Sequence, residues 1–227
     1  LMNGPIAIDQ ERDLVYSTAF MTPSLAQIDA NTGELLQLLN LGEEYLHLNP
    51  KPAVDGNGIV WFTGDTVDAL VRIDPTTGAV TFPTVPVTSG RAIAPRAGGG
   101  VLLAGFSNQG SLLMLIDSEG VVESFVEPLD PILDIIALRD GENFGVLSLN
   151  DDADVSDIFR LSGTTLEPIE ESCSLDFRAA SLAETPDGVL VAISSSDITI
   201  PGCETGLETE SAGFGFLGTE AVATPEG

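Results

Sequence analysis

Cations are nearly missing from this chain. Lysine occurs once, at Lys51, and histidine once, at His47; Lys and Arg together number 8 against 35 acids, giving a formal charge of −27 over 227 residues. A field of that sign repels phosphate backbones and anionic lipid surfaces, so nucleic acid is not an expected partner. The sequence shows no recognisable Ser/His/Asp set and no zinc-ligand spacing. Gly98-Gly99-Gly100 is not followed by the lysine and helix of a phosphate-cradling loop, and reads as a hairpin turn. No run of about 18 uninterrupted apolar residues is present, so membrane insertion through a helix is not expected. Leu1-Met2-Asn3-Gly4 leads straight into a strand pattern without a charged and then apolar leader; the expectation is either a removed signal peptide or a segment of a longer protein.

Turn residues are plentiful. Glycine (24) and proline (14) outnumber the aromatic residues and suit many short strands broken by turns rather than long helices. A phrase recurs: Gln27-Ile28-Asp29-Ala30-Asn31-Thr32-Gly33, Arg72-Ile73-Asp74-Pro75-Thr76-Thr77-Gly78, Leu115-Ile116-Asp117-Ser118-Glu119-Gly120 and, more faintly, Arg160-Leu161-Ser162-Gly163. The turn glycines 33, 78, 120 and 163 are 45, 42 and 43 residues apart. Such a period holds one supersecondary unit of four short strands, used repeatedly. Before the phrase stand a small-residue strand, a turn rich in Gly, Asn and Asp, and a β-branched strand such as Ile59-Val60-Trp61-Phe62. After it comes a fourth strand, predicted at Leu35–Leu38, Ala79–Phe82, Val121–Phe125, Thr165–Pro168 and Gly218–Val222.

Four antiparallel strands per unit and five units predict an all-β chain folded as a single β-propeller domain over 1–227. The blades fall at about 4–42, 50–88, 90–128, 133–170 and 178–223. They either close as a five-bladed ring or form part of a six- to eight-bladed one.

Pro52-Ala53-Val54-Asp55-Gly56-Asn57-Gly58-Ile59-Val60-Trp61-Phe62-Thr63 with Val71-Arg72-Ile73-Asp74-Pro75-Thr76-Thr77-Gly78 resembles a repeat of virginiamycin B lyase and its NHL/YVTN-type propeller relatives. That resemblance implies a secreted or periplasmic binding or scaffolding module, with enzymes a minority. His47 sits roughly where the lyase branch places a histidine, without the repeated partners. Asn3-Gly4-Pro5-Ile6-Ala7 resembles the Glu-Gly-Pro opening of gluconolactonase-type propellers, with Asn3 where that family has an anionic calcium ligand.

In a propeller, the loop between second and third strands and the connection to the next blade share a face. Cys173, in the connection entering the fifth unit, and Cys203, in a second-to-third-strand loop from Ser194 to Ser211, are expected there as a disulfide in an oxidising compartment, extracellular or periplasmic. Asp151, Asp152 and Asp154 resemble a hard-cation loop and make Ca²⁺ the one candidate cofactor, against the simpler reading of a solvated acidic loop. Lys51, Arg91 and Arg178 fall at inner-strand starts and suggest an anion or carboxylate site at one channel mouth, against plain pairing with acids such as Asp134. Tyr16, Phe20 and Phe106 are expected in or beside the loops of that face, Phe20 and Phe106 either as exposed recognition residues or as strand-end packing, whereas Trp61 is expected in the core. The expected function is a monomeric, non-catalytic module binding protein or glycan. The alternatives are a metal-dependent lyase or lactonase working in the channel, and a structural segment of a larger surface protein.

Overall fold

The computed structural model describes residues 6–19, 22–41, 48–64, 70–127, 130–150, 155–169, 172–175, 177–193 and 198–199. They form strands and turns and no helix. The strands are β1 Ile6–Asp9, β2 Leu14–Ala19, β3 Thr22–Asp29, β4 Leu35–Asn40, β5 Leu48–Val54, β6 Val60–Gly64, β7 Leu70–Asp74, β8 Ala79–Thr81, β9 Ser89–Pro95, β10 Val101–Ser107, β11 Gly110–Ile116, β12 Val122–Val126, β13 Ile132–Ala137, β14 Asn143–Asn150, β15 Val155–Ser162, β16 Cys173–Ser174, β17 Ser181–Glu184, β18 Leu190–Ile193 and β19 Ile198–Thr199. They pair in sequence order into four four-stranded antiparallel sheets and a three-stranded one, the blades of a propeller.

The recurring phrase is a turn device. Asp29 Oδ1 accepts the N–H groups of Asn31 at 2.9 Å and Thr32 at 2.8 Å, and Gly33 turns back at φ 73° to donate to the Asp29 carbonyl. Asp74 does the same for Thr76, Thr77 and Gly78, and Asp117 for Glu119 and Gly120. The carboxylate supplies the acceptor and the glycine the left-handed backbone, so each phrase closes the hairpin from third to fourth strand.

The chain divides into two compact units, Leu1–Glu127 and Pro128–Gly227. In the first, sheets β1–β4 and β5–β8 bury Tyr16, Leu25, Phe62 and Ile73 between them. Trp61, Leu70, Ile93, Leu103 and Met114 fill the next layer, against sheet β9–β12. In the second, Leu147, Ile158, Leu175, Leu182 and Ala192 join sheet β13–β16 to β17–β19. No sheet can bury both faces alone, and stacking makes the core.

Two strand expectations are corrected. The outer strand of the fourth sheet is β16, not Thr165–Pro168, which touches β15 only through one bridge, Leu161 to Pro168. Ser162 Oγ accepts the Thr164 and Thr165 N–H groups, and Leu166 is buried with a left-handed φ of 58°, so the chain tucks inward before it can run straight. In the fifth unit β19 pairs with β18 through Ile193 and Ile198, so the hairpin closes far sooner than a loop from Ser194 to Ser211 would allow. Cys203 and the expected strand Gly218–Val222 lie outside the described residues.

Candidate functional site

Each sheet has two edges. One carries the turns from first to second and from third to fourth strand; the other carries the second-to-third connections and the passages to the next sheet.

The first edge is stitched from sheet to sheet by side chains and backbone. Asp9, buried at the end of β1, accepts the Arg12 guanidinium at 2.9 Å, and Arg12 Nη2 goes on to donate to the Gly56 carbonyl at 3.1 Å in the next sheet. The Gly56 N–H donates to the Arg96 carbonyl at 3.0 Å, one sheet further. Arg72, in the recurring phrase, lies 5.8 Å over the Trp61 ring and donates Nε to the Ser118 carbonyl at 2.7 Å. Arg160, at the same place in the fourth phrase, donates to the Gly188 carbonyl. Two of the few cations thus serve as equivalent clamps between neighbouring sheets.

Sequence reasoning passed over Asp55 and offered Asp134 only as a pairing partner for the cations. Asp55, 2 % exposed, accepts the Asn57 and Ile59 N–H groups on Oδ1 at 2.9 and 3.1 Å, and Trp61 Nε1 and Gly100 N–H on Oδ2 at 2.9 and 2.7 Å. Asp134 Oδ1 accepts the Ile135 N–H; Oδ2 accepts Ser181 Oγ at 3.0 Å and Leu182 N–H at 2.9 Å across the sheet boundary. An acid followed by Gly-Asn-Gly and, six residues on, a tryptophan is the one signal the sequence offered for Asp55. The arrangement holds turns together and neutralises four donors; no reacting atom need be invoked.

The expected site residues are divided between the two compact units or lie outside the described residues. Arg91 is an exposed residue of β9, and Arg178 is exposed in the lead to β17, in the other compact unit. Lys51 lies in β5, with its side chain outside the described residues. Phe106 is half-buried at the end of β10, opposite Ser89 and Ser111, and its carbonyl accepts both N–H and Oγ1 of Thr88. Phe20, His47, Asn3, Asp151, Asp152 and Asp154 are outside the described residues; the three aspartates fall between Asn150 and Val155, which pair at the mouth of the β14–β15 hairpin. Among the described residues no group of three or more His, Cys, Asp or Glu could hold a metal ion. Cys173 stands in β16 rather than in a connection, half-buried, as a free thiol.

Tyr16 is a further correction. It is 1 % exposed in the core of the first unit rather than beside a recognition loop, because it alternates onto the face that packs against β6 and β7. Burial pushes its hydroxyl up to about 12, with the Asp9 charge adding and Arg12 opposing. An ultraviolet phenolate titration is expected to show one group ionising at about 12. A phenol held neutral in the folded state but ionised from its ordinary value of 10 in the unfolded chain stabilises fully below pH 10. That contribution is lost as pH rises through 12, so alkaline unfolding is expected to steepen over the same window; both tyrosines titrating near 10 in folded protein would contradict the burial.

No family model matches the chain, and no curated protein matches it. Solved structures do. The chain superposes on a streptogramin B lyase with a TM-score of 0.68 at 14 % identity, covering 92 % of this chain and 68 % of that one. Virginiamycin B lyase from Staphylococcus aureus, in selenomethionine form, gives 0.67 at 13 %, covering 92 % and 69 %. Hydrazine synthase of Kuenenia stuttgartiensis gives 0.62 at 12 %, and there the chain, 89 % covered, spans 57 % of the other's length. At such identities the likeness is one of fold, and the fold is that of a β-propeller.

Proposed function

We propose that this chain is a binding module, a propeller scaffold that presents protein- or glycan-contacting surface in a secreted or surface-exposed setting. The observation that carries the reading is the use made of the buried acids. Asp9, Asp55 and Asp134 each hold backbone or side-chain donors of the scaffold, two of them across a sheet boundary. A catalytic carboxylate needs a free lone pair facing a substrate; these are committed to holding sheets in register. The stitched turn edge leaves the opposite edge, with its second-to-third connections and passages between sheets, free to vary, and loops on a rigid scaffold are where binding function concentrates. The acidic surface suits a soluble exterior protein.

The test sets binding against turnover. Purified chain is passed over immobilised glycans and candidate protein surfaces, and in parallel incubated with virginiamycin B and a panel of lactones, with and without magnesium and calcium. Saturable retention without turnover above the buffer rate is the expected result. Metal-stimulated turnover abolished by a chelator would overturn the reading in favour of a lyase or lactonase.

A further inference from the structure

We propose that β4 is a docking edge for an extended segment of a partner polypeptide, apolar at alternate positions and flanked by lysine or arginine. The inference stands apart from what the second-to-third-strand connections bind, since β4 is, among the described residues, the outermost strand of its sheet.

Outer strands expose a row of unpaired backbone groups, and proteins blunt them with shortness, proline or charge. The other described outer strands follow that rule. β8 has three residues and runs through Phe82 into Pro83. β12 carries Glu123, bonded to Arg96, and meets Glu127 at its end. β16 has two residues. β4 does not follow it. Its six residues, Leu-Leu-Gln-Leu-Leu-Asn, contain neither charge nor proline, and Leu35, Leu36 and Leu38 are 53, 51 and 56 % exposed.

The register tells where those leucines point. Leu38 lies opposite Ala26, and Leu35 opposite Ile28, with Leu36 the extra residue of a bulge. Cross-strand partners share a face, and following the pairs to β1 places Ile6 and Ile8, 42 and 46 % exposed, on it too. The other face is the one packed on β5–β8. Ala26 and Ser17, between Leu38 and Ile6 on that face, are buried, so an added strand would gain backbone hydrogen bonds from alternate residues of β4 and rest alternate side chains beside Leu35 and Leu38, the pattern of strand addition. Charge selects the occupant. A second copy brings another −27 to the contact, whereas Glu34, immediately before β4, and the chain's net negative charge favour cationic flanks.

The probe is a labelled synthetic peptide of alternating valine and threonine with paired lysines at both ends, titrated into the full chain and followed by anisotropy and by hydrogen exchange. Saturable binding with slowed exchange confined to the amides of 35–40 is expected. The Leu36→Lys/Leu38→Lys double variant, altered only at exposed positions, is expected to bind roughly tenfold more weakly, the effect of a like charge built against the incoming strand. The proposal is overturned by any of four results: no saturable binding; protection elsewhere; equal binding of a glutamate-ended twin or of a proline-interrupted lysine-ended peptide; or a concentration-dependent dimer that protects β4 without peptide, which would make a second copy the occupant.

Discussion

Replacing Asp55 by alanine is expected to lower the stability by about 2–6 kcal/mol, the cost of leaving two buried donors without an acceptor. The carboxylate collects four donors, and two of them, Trp61 Nε1 and Gly100 N–H, have no route to water once it is gone, since Trp61 is 0 % exposed and Gly100 is buried. Each orphaned donor alone costs about 1–3 kcal/mol. The single tryptophan of the chain lies in the site, so a urea titration followed by its fluorescence reads the site and the global transition together. Asparagine is not expected to rescue. It keeps one acceptor oxygen for Asn57 and Ile59 but turns an NH₂ toward Trp61 Nε1 and Gly100 N–H, setting donor against donor. An Asp55→Asn protein with the wild-type urea midpoint would show that the negative charge is not what holds the two sheets.

That network marks the boundary of what the sequence made legible. The Asp-x-x-Thr-Gly phrases gave the hairpin positions correctly because their chemistry is local: carboxylate, turn amides and left-handed glycine lie within five residues. The sheets followed from the period, and Trp61 in the core from the alternation of its strand. Asp55 looked like one more turn aspartate, because its decisive donor, Gly100, is 45 residues away and enters only when sheets stack. Tyr16 stands near a connection in sequence, yet alternation within its strand decides its burial. Thr165–Pro168 had strand composition, but Ser162 Oγ and the inward turn of Leu166 capture it first. Of the expected site residues, Arg91, Arg178 and Phe106 are placed as surface or strand-end groups, and nothing local to each could say whether they meet.

The second large effect is expected at Gly56. It carries no unusual φ; its constraint is the neighbouring sheet. A Cβ built there would come 1.8 Å from the Ala97 carbonyl oxygen and 2.7 Å from its carbon, so the β5–β6 turn lies directly on the β9–β10 turn. Backbone on both sides leaves no flexible side chain to yield. The Gly56 N–H is also bonded to the Arg96 carbonyl and its own carbonyl accepts Arg12, so relieving the clash means breaking the stitch in both directions. Gly56→Ala is expected to cost roughly 3 kcal/mol or more, the range of overpacking joined to lost hydrogen bonds. Gly98, one residue beyond the contacted Ala97, is the internal control: nothing lies within 4 Å of its would-be Cβ. Gly98→Ala should move stability by no more than about 0.5 kcal/mol, as an ordinary surface substitution does. Both variants change the same atom count in touching turns, so unfolded-chain effects largely cancel and the difference in urea midpoint isolates the sheet-to-sheet contact. Equal midpoints would mean that the two turns are not pressed together, and with that the stitching from Arg12 through Gly56 to Arg96 would fail as the reason these blades hold a fixed register.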